Sequence, residues 1–99
     1  MRKIYTIIVL SLLIFEANAQ TISGTIKDAN TNERLIGVNI ILNNGNGTAT
    51  DFDGNYQILG KEGEQQITFK YIEYEEVLKT ISLNKNEVTT LDVVLVPSS

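Results

Sequence analysis

The 99-residue sequence contains no cysteine and no histidine, and its only proline is Pro97. Without cysteine there is no disulfide to staple a small fold, no thiolate nucleophile and no thiolate metal site. Without histidine there is no Ser-His-Asp or Cys-His machinery, and nearly all zinc sites are excluded. No glycine-rich phosphate loop follows a strand and opens a helix. After residue 19 no window holds a helical apolar stripe for three turns, so no long helix is expected. Ile4–Phe15 is the longest apolar run, broken by Tyr5, Thr6 and Ser11. It is shorter than the ~20 residues that span a bilayer.

Residues 1–19 have instead the layout of an export signal. Arg2 and Lys3 precede the apolar run, and Ala17-Asn18-Ala19 supplies a small-x-small cleavage pattern, with Glu16 an unusual neighbour. Cleavage after Ala19 leaves Gln20 as the first mature residue. No cysteine follows the run, which excludes a lipoprotein anchor. The expected organisation is a signal peptide at 1–19, one domain at 20–96, and a tail or linker at 97–99. From residue 20 onward the sequence has six basic and eleven acidic side chains. That balance repels phosphate backbones and anionic membrane surfaces, so nucleic acid is not an expected partner. A domain of this size buries only ~60–65% of its unfolded surface. With no cross-links, its stability must come from packing and sheet hydrogen bonds.

Period-two alternation dominates the remainder. Ile22, Gly24 and Ile26 share one face of 21–27. The same alternation holds Val38, Ile40 and Leu42 together, then Tyr56 and Ile58, then Ile67, Phe69 and Tyr71, then Leu91, Val93 and Leu95. In 76–83 the pattern Val77, Ile81, Leu83 is interrupted by Lys79, which suggests an edge strand. Turn residues fall at Asp28–Arg34, Asn43–Gly47, Asp51–Gly54, Gly60–Gly63 and Asn84–Asn86. Short strands with turns at such spacing give an all-β sandwich of about seven strands.

The chemistry left is carboxylate chemistry. Asp51 and Asp53 flank Phe52 and precede Gly54. They could form a calcium loop or an acid/base pair, but the spacing lacks the distal Glu and flanking helices of an EF-hand. A turn in which the carboxylates accept local backbone N–H groups fits better. Glu73, Glu75 and Glu76 surround Tyr74, as a solvated loop or a partner patch; Tyr71 and Tyr74 could anchor a partner or pack on the core. Asn46-Gly47-Thr48 matches an N-glycosylation acceptor. No cofactor and no catalytic residue is assigned, and an enzyme is not expected.

The ordered segments Gly24-Thr25-Ile26-Lys27-Asp28, Thr31-Asn32-Glu33-Arg34-Leu35-Ile36-Gly37-Val38 and Gly47-Thr48-Ala49-Thr50-Asp51-Phe52-Asp53-Gly54-Asn55-Tyr56 resemble the carboxypeptidase regulatory-like domain. So do Tyr71-Ile72-Glu73-Tyr74 and Leu91-Asp92-Val93-Val94-Leu95. The resemblance implies a Greek-key, transthyretin-like sandwich. It marks Gly24, Asp28, Glu33, Leu35, Gly37, Thr50, Asp51, Asp53, Gly54, Tyr56, Tyr71 and Tyr74 as motif residues. Three positions depart from the pattern. Asn32 and Glu73 stand where glycine is usual, and Arg34 replaces a proline, a change expected to loosen its turn. Domains of this kind sit behind the signal peptide of TonB-dependent outer-membrane receptors, ahead of the plug and barrel. The resemblance therefore implies a non-catalytic periplasmic or outer-membrane-associated module. Its expected partner is a transporter plug and barrel or another envelope protein. The alternative is a free-standing secreted binding or adhesion domain for a glycan or protein.

Overall fold

The computed structural model describes residues 20–99. The expected signal peptide at 1–19, with the expected cleavage residues Ala17 and Ala19, lies outside the described residues. Eight strands run in chain order: β1 Gln20–Asp28, β2 Asn39–Leu42, β3 Gly47–Ala49, β4 Asn55–Gly60, β5 Gly63–Lys70, β6 Val77–Leu83, β7 Val88–Thr90 and β8 Val93–Leu95. No helix occurs among the described residues. One sheet has β1 at its centre, antiparallel to β4 on one side and parallel to β7 and β8 on the other. The second sheet runs β3-β2-β5-β6, all antiparallel.

Alternation decides which side chains meet between the sheets. Ile22 and Ile26 of β1, Tyr56 and Ile58 of β4, and Val93 and Leu95 of β8 are buried from one side. Ile40 and Leu42 of β2, Ile67 and Phe69 of β5, and Leu83 of β6 close the core from the other. The Tyr56 and Phe69 rings meet edge-on, centroids 5.8 Å apart and planes at 76°. Each such side chain contributes about 1.5–3 kcal/mol on leaving water. β6 is the outermost strand of its sheet and Lys79 lies exposed on it, as the broken alternation implied.

The closing segment differs from expectation. One strand through Leu91, Val93 and Leu95 was expected; two short strands form, separated at Leu91-Asp92. Opposite the break lies Gly24, where a Cβ would sit 2.0 Å from the Leu91 carbonyl oxygen. Leu91 N donates to Ser23 O at 2.8 Å, and Thr25 N then donates to the Asp92 carboxylate at 2.9 Å. A side-chain oxygen thus replaces a backbone carbonyl in the ladder. Two other segments were not visible as strands. β3 is three small polar-flanked residues, and β5 starts at Gly63, three residues before the apolar alternation.

Candidate functional site

Ten of the twelve motif residues gather at one end of the sandwich, where β1 leaves, β2 and β4 begin and β5 ends. The β1–β2 connection, Ala29–Val38, is fastened there by Thr50. The Thr50 hydroxyl donates to Leu35 O at 2.6 Å and accepts from Val38 N at 2.9 Å. Thr50 N donates to Val38 O, and Gly37 N to Thr50 O. Thr50 is buried, so loss of its hydroxyl would leave Leu35 O and Val38 N without these partners. Gly37 has open space around it, but its φ of +81° is one that L side chains avoid. Leu35 is buried against the core.

The Asp51–Gly54 turn is an Asx turn. Asp51 Oδ1 accepts from Asp53 N at 2.9 Å and Asn55 N at 3.0 Å. Gly54 closes it at φ +76°, with Arg34 Cβ only 2.8 Å from where its own Cβ would be. The Asp51 carboxylate is therefore occupied by its own backbone, as in the turn reading. Asp53 contributes its carbonyl, which accepts from Arg34 Nη1 at 3.0 Å. Arg34 thus ties its turn to the neighbouring one, where loosening was expected. Glu33 likewise acts through its backbone: its carbonyl accepts from Asp28 N at 2.8 Å, and its side chain is exposed.

Two tyrosines brace this end. Tyr71 donates its hydroxyl to Ile36 O at 2.6 Å. Tyr74 donates to Asp28 Oδ2 at 2.5 Å, while Asp28 Oδ1 accepts from Asn30 N and Thr31 N at 2.7 and 2.9 Å. The Tyr74 hydroxyl and the Thr31 amide hold the Asp28 carboxyl below its ordinary 3.8, against the opposing effect of burial. The same bond, with burial, pushes Tyr74 up to about 12. The rings of Tyr71 and Tyr74 lie 5.5 Å apart. Glu73 takes a left-handed conformation, φ 70°, where glycine would be unstrained. Its carbonyl accepts from Ser98 N, and Tyr74 bridges to Pro97, so residues 96–98 also run along this end.

Gly24 and Tyr56 lie apart from this group, paired with each other in the register of β1 and β4. The Tyr56 hydroxyl donates to Leu91 O at 2.7 Å, and burial, then the Asp92 charge, raises its pKa. Gln20, the expected first mature residue, is the first residue of β1 and is paired with Gly60. Sequence reasoning missed the roles of Asp92 and Arg34. An acid inside an otherwise apolar alternation, Leu91-Asp92-Val93, was the available signal. No group of three metal-ligating side chains occurs among the described residues. The motif residues act mainly through backbone bonds, so this end of the sandwich is a framework that holds loops rigid.

A profile of the CarboxypepD_reg-like domain matches residues 22–99. The chain belongs to the CarboxypepD_reg-like domain family. This is a family of non-catalytic modules. Among characterised relatives, the TonB-dependent receptor SusC of Bacteroides thetaiotaomicron is 37% identical over 92 residues. That match covers 85% of this chain and 9% of the receptor. Solved structures extend the fold further. The group B streptococcus pilus 2b backbone protein aligns with a TM-score of 0.63 at 17% identity, over 81% of this chain and 42% of that one. The Bacillus anthracis TIE protein aligns with a TM-score of 0.67 at 14% identity, over 81% and 17%. At such identities the likeness shows a shared β-sandwich fold alone.

Proposed function

We propose that this chain is a periplasmic, non-catalytic module of the type that precedes a TonB-dependent nutrient transporter, acting in docking or folding of the transporter. The observation that carries this reading is the 37% identity to the SusC receptor over 85% of the chain. The loop end supports it. Phe52 and Ile72 are 85% and 80% exposed on turns that the Thr50, Asp51 and Tyr71 bonds keep rigid. Rigid exposed apolar side chains lose little entropy on docking and are favourable interface anchors.

The test is deletion of codons 20–96 at the native locus. Outer-membrane TonB-dependent receptors are then quantified, and growth is scored on polysaccharides as sole carbon source. The expected result is a fall in one receptor's abundance or loss of growth on its glycan. Unchanged receptor levels and unchanged growth on every glycan would overturn the reading.

A further inference from the structure

The outer face of the first sheet brings two cations together. Lys27 and Arg34 are directly opposed across an isolated antiparallel bridge. The flanking bonds, Leu35 N to Ile26 O and Asp28 N to Glu33 O, make them a non-hydrogen-bonded pair. That is the closest cross-strand arrangement, with Cα atoms about 4.5 Å apart. Like charges placed so are destabilising. Among the described residues neither cation has a carboxylate within 4.0 Å; the ion pair that does form is Lys70–Glu76. In a chain where acids outnumber bases, two opposed cations without a carboxylate partner concentrate positive charge at this face.

Both line a cleft of about 420 Å³, with Thr25, Asn32, Asp92 and Val94. We propose that this cleft binds the carboxylate of a small hydroxylated monocarboxylic acid, of the sugar-acid class. One guanidinium nitrogen of Arg34 is already committed to Asp53 O, which fixes the group in place. Its remaining N–H groups and the Lys27 ammonium supply donors for the two oxygens of one carboxylate. Asp92 faces the same cleft with its Oδ1 bonded to Thr25 N. Its charge repels a dianion or a run of acidic residues but accepts hydrogen bonds from ligand hydroxyls. Thr25 Oγ1, which donates to Asn55, keeps acceptor capacity, and Asn32 offers both kinds of group. The cleft therefore selects for one negative charge surrounded by hydroxyls. This inference is independent of the transporter reading.

Titration of the isotope-labelled chain, followed by amide chemical shifts, tests it with four probes: galacturonic acid, galactose, inorganic sulfate and triglutamate. Saturable shifts centred on Lys27, Arg34 and Val94 are expected with galacturonic acid, and none with galactose. Equal response to galactose, or equal or tighter binding of sulfate or triglutamate, would overturn the proposal; triglutamate would point to a peptide partner instead. Lys27→Gln should weaken galacturonate about tenfold or more, as loss of a charge-assisted bond implies. Lys27→Glu keeps the test independent of folding. It replaces a repulsive pair by an attractive one, so its Tm should rise while binding is lost. Binding retained by Lys27→Glu would refute the assignment.

Discussion

Glu73 shows how a single residue can be read correctly as unusual and still be placed by its neighbours. Its φ of 70° is imposed by the Tyr71–Tyr74 turn, whose ends are held by Tyr74 N to Tyr71 O and by the Tyr74–Asp28 bond. Left-handed backbone costs a non-glycine residue about 1–2 kcal/mol. Glycine would recover this but lose about 0.4–1 kcal/mol through its freer unfolded chain. Glu73→Gly is therefore expected to stabilise the domain by about 0.5–1 kcal/mol in urea unfolding. Asn32, at φ 67°, carries less strain because its side chain tolerates that region. The Asp28–Tyr74 bond makes a second residue-scale prediction. Asp28 is lowered in the fold, so its contribution is present above 3.8 and is lost as pH falls through its folded value. Tyr74 is raised, so its contribution is complete below 10.0 and disappears as pH rises through about 12. Tyr74→Phe removes the bond at every pH. Its Tm deficit should be largest between about pH 5 and pH 10 and shrink at both extremes, as measured by melting across pH.

Among the elements, the break between β7 and β8 depends on one missing carbon. Any side chain at Gly24 must displace the Leu91 carbonyl, and with it the Tyr56 hydroxyl bond to the same oxygen. Gly24→Ala is expected to cost about 2–3 kcal/mol, read as a fall in Tm and a new Leu91 amide shift. At the edge of the second sheet, β6 presents an unpaired row of backbone groups beside exposed Lys79. Lys79→Val should leave the fold intact but lower the concentration at which light scattering detects aggregation. The core strands were legible because Ile40, Leu42, Ile67 and Phe69 keep strict period two, a pattern local sequence carries in full. β3 was not, because Gly47, Thr48 and Ala49 have no apolar face; pairing with Asn39–Ile41 across the Asn43–Asn46 turn makes them a strand. The loop framework was legible as a set of motif residues, but its bonds were not. Arg34 to Asp53 spans 19 positions and Tyr74 to Asp28 spans 46, separations no local pattern encodes.

For the whole molecule, the parallel placement of β1 beside β7 and β8 has a mechanical meaning. Gln20 lies at one pole and Leu95 at the other, with the strands that carry them hydrogen-bonded side by side. Tension applied through the two ends slides these strands past each other and loads their bonds together, in shear, rather than peeling them one at a time. A tether pulled at residues 20 and 99 should rupture in one high-force event in single-molecule stretching, whereas attachment at residues 28 and 99, where Asp28 pairs with Leu95 at the same pole, should peel the strands apart without that event. A module so strung behaves as a stiff link that holds its length under load until it gives way at once.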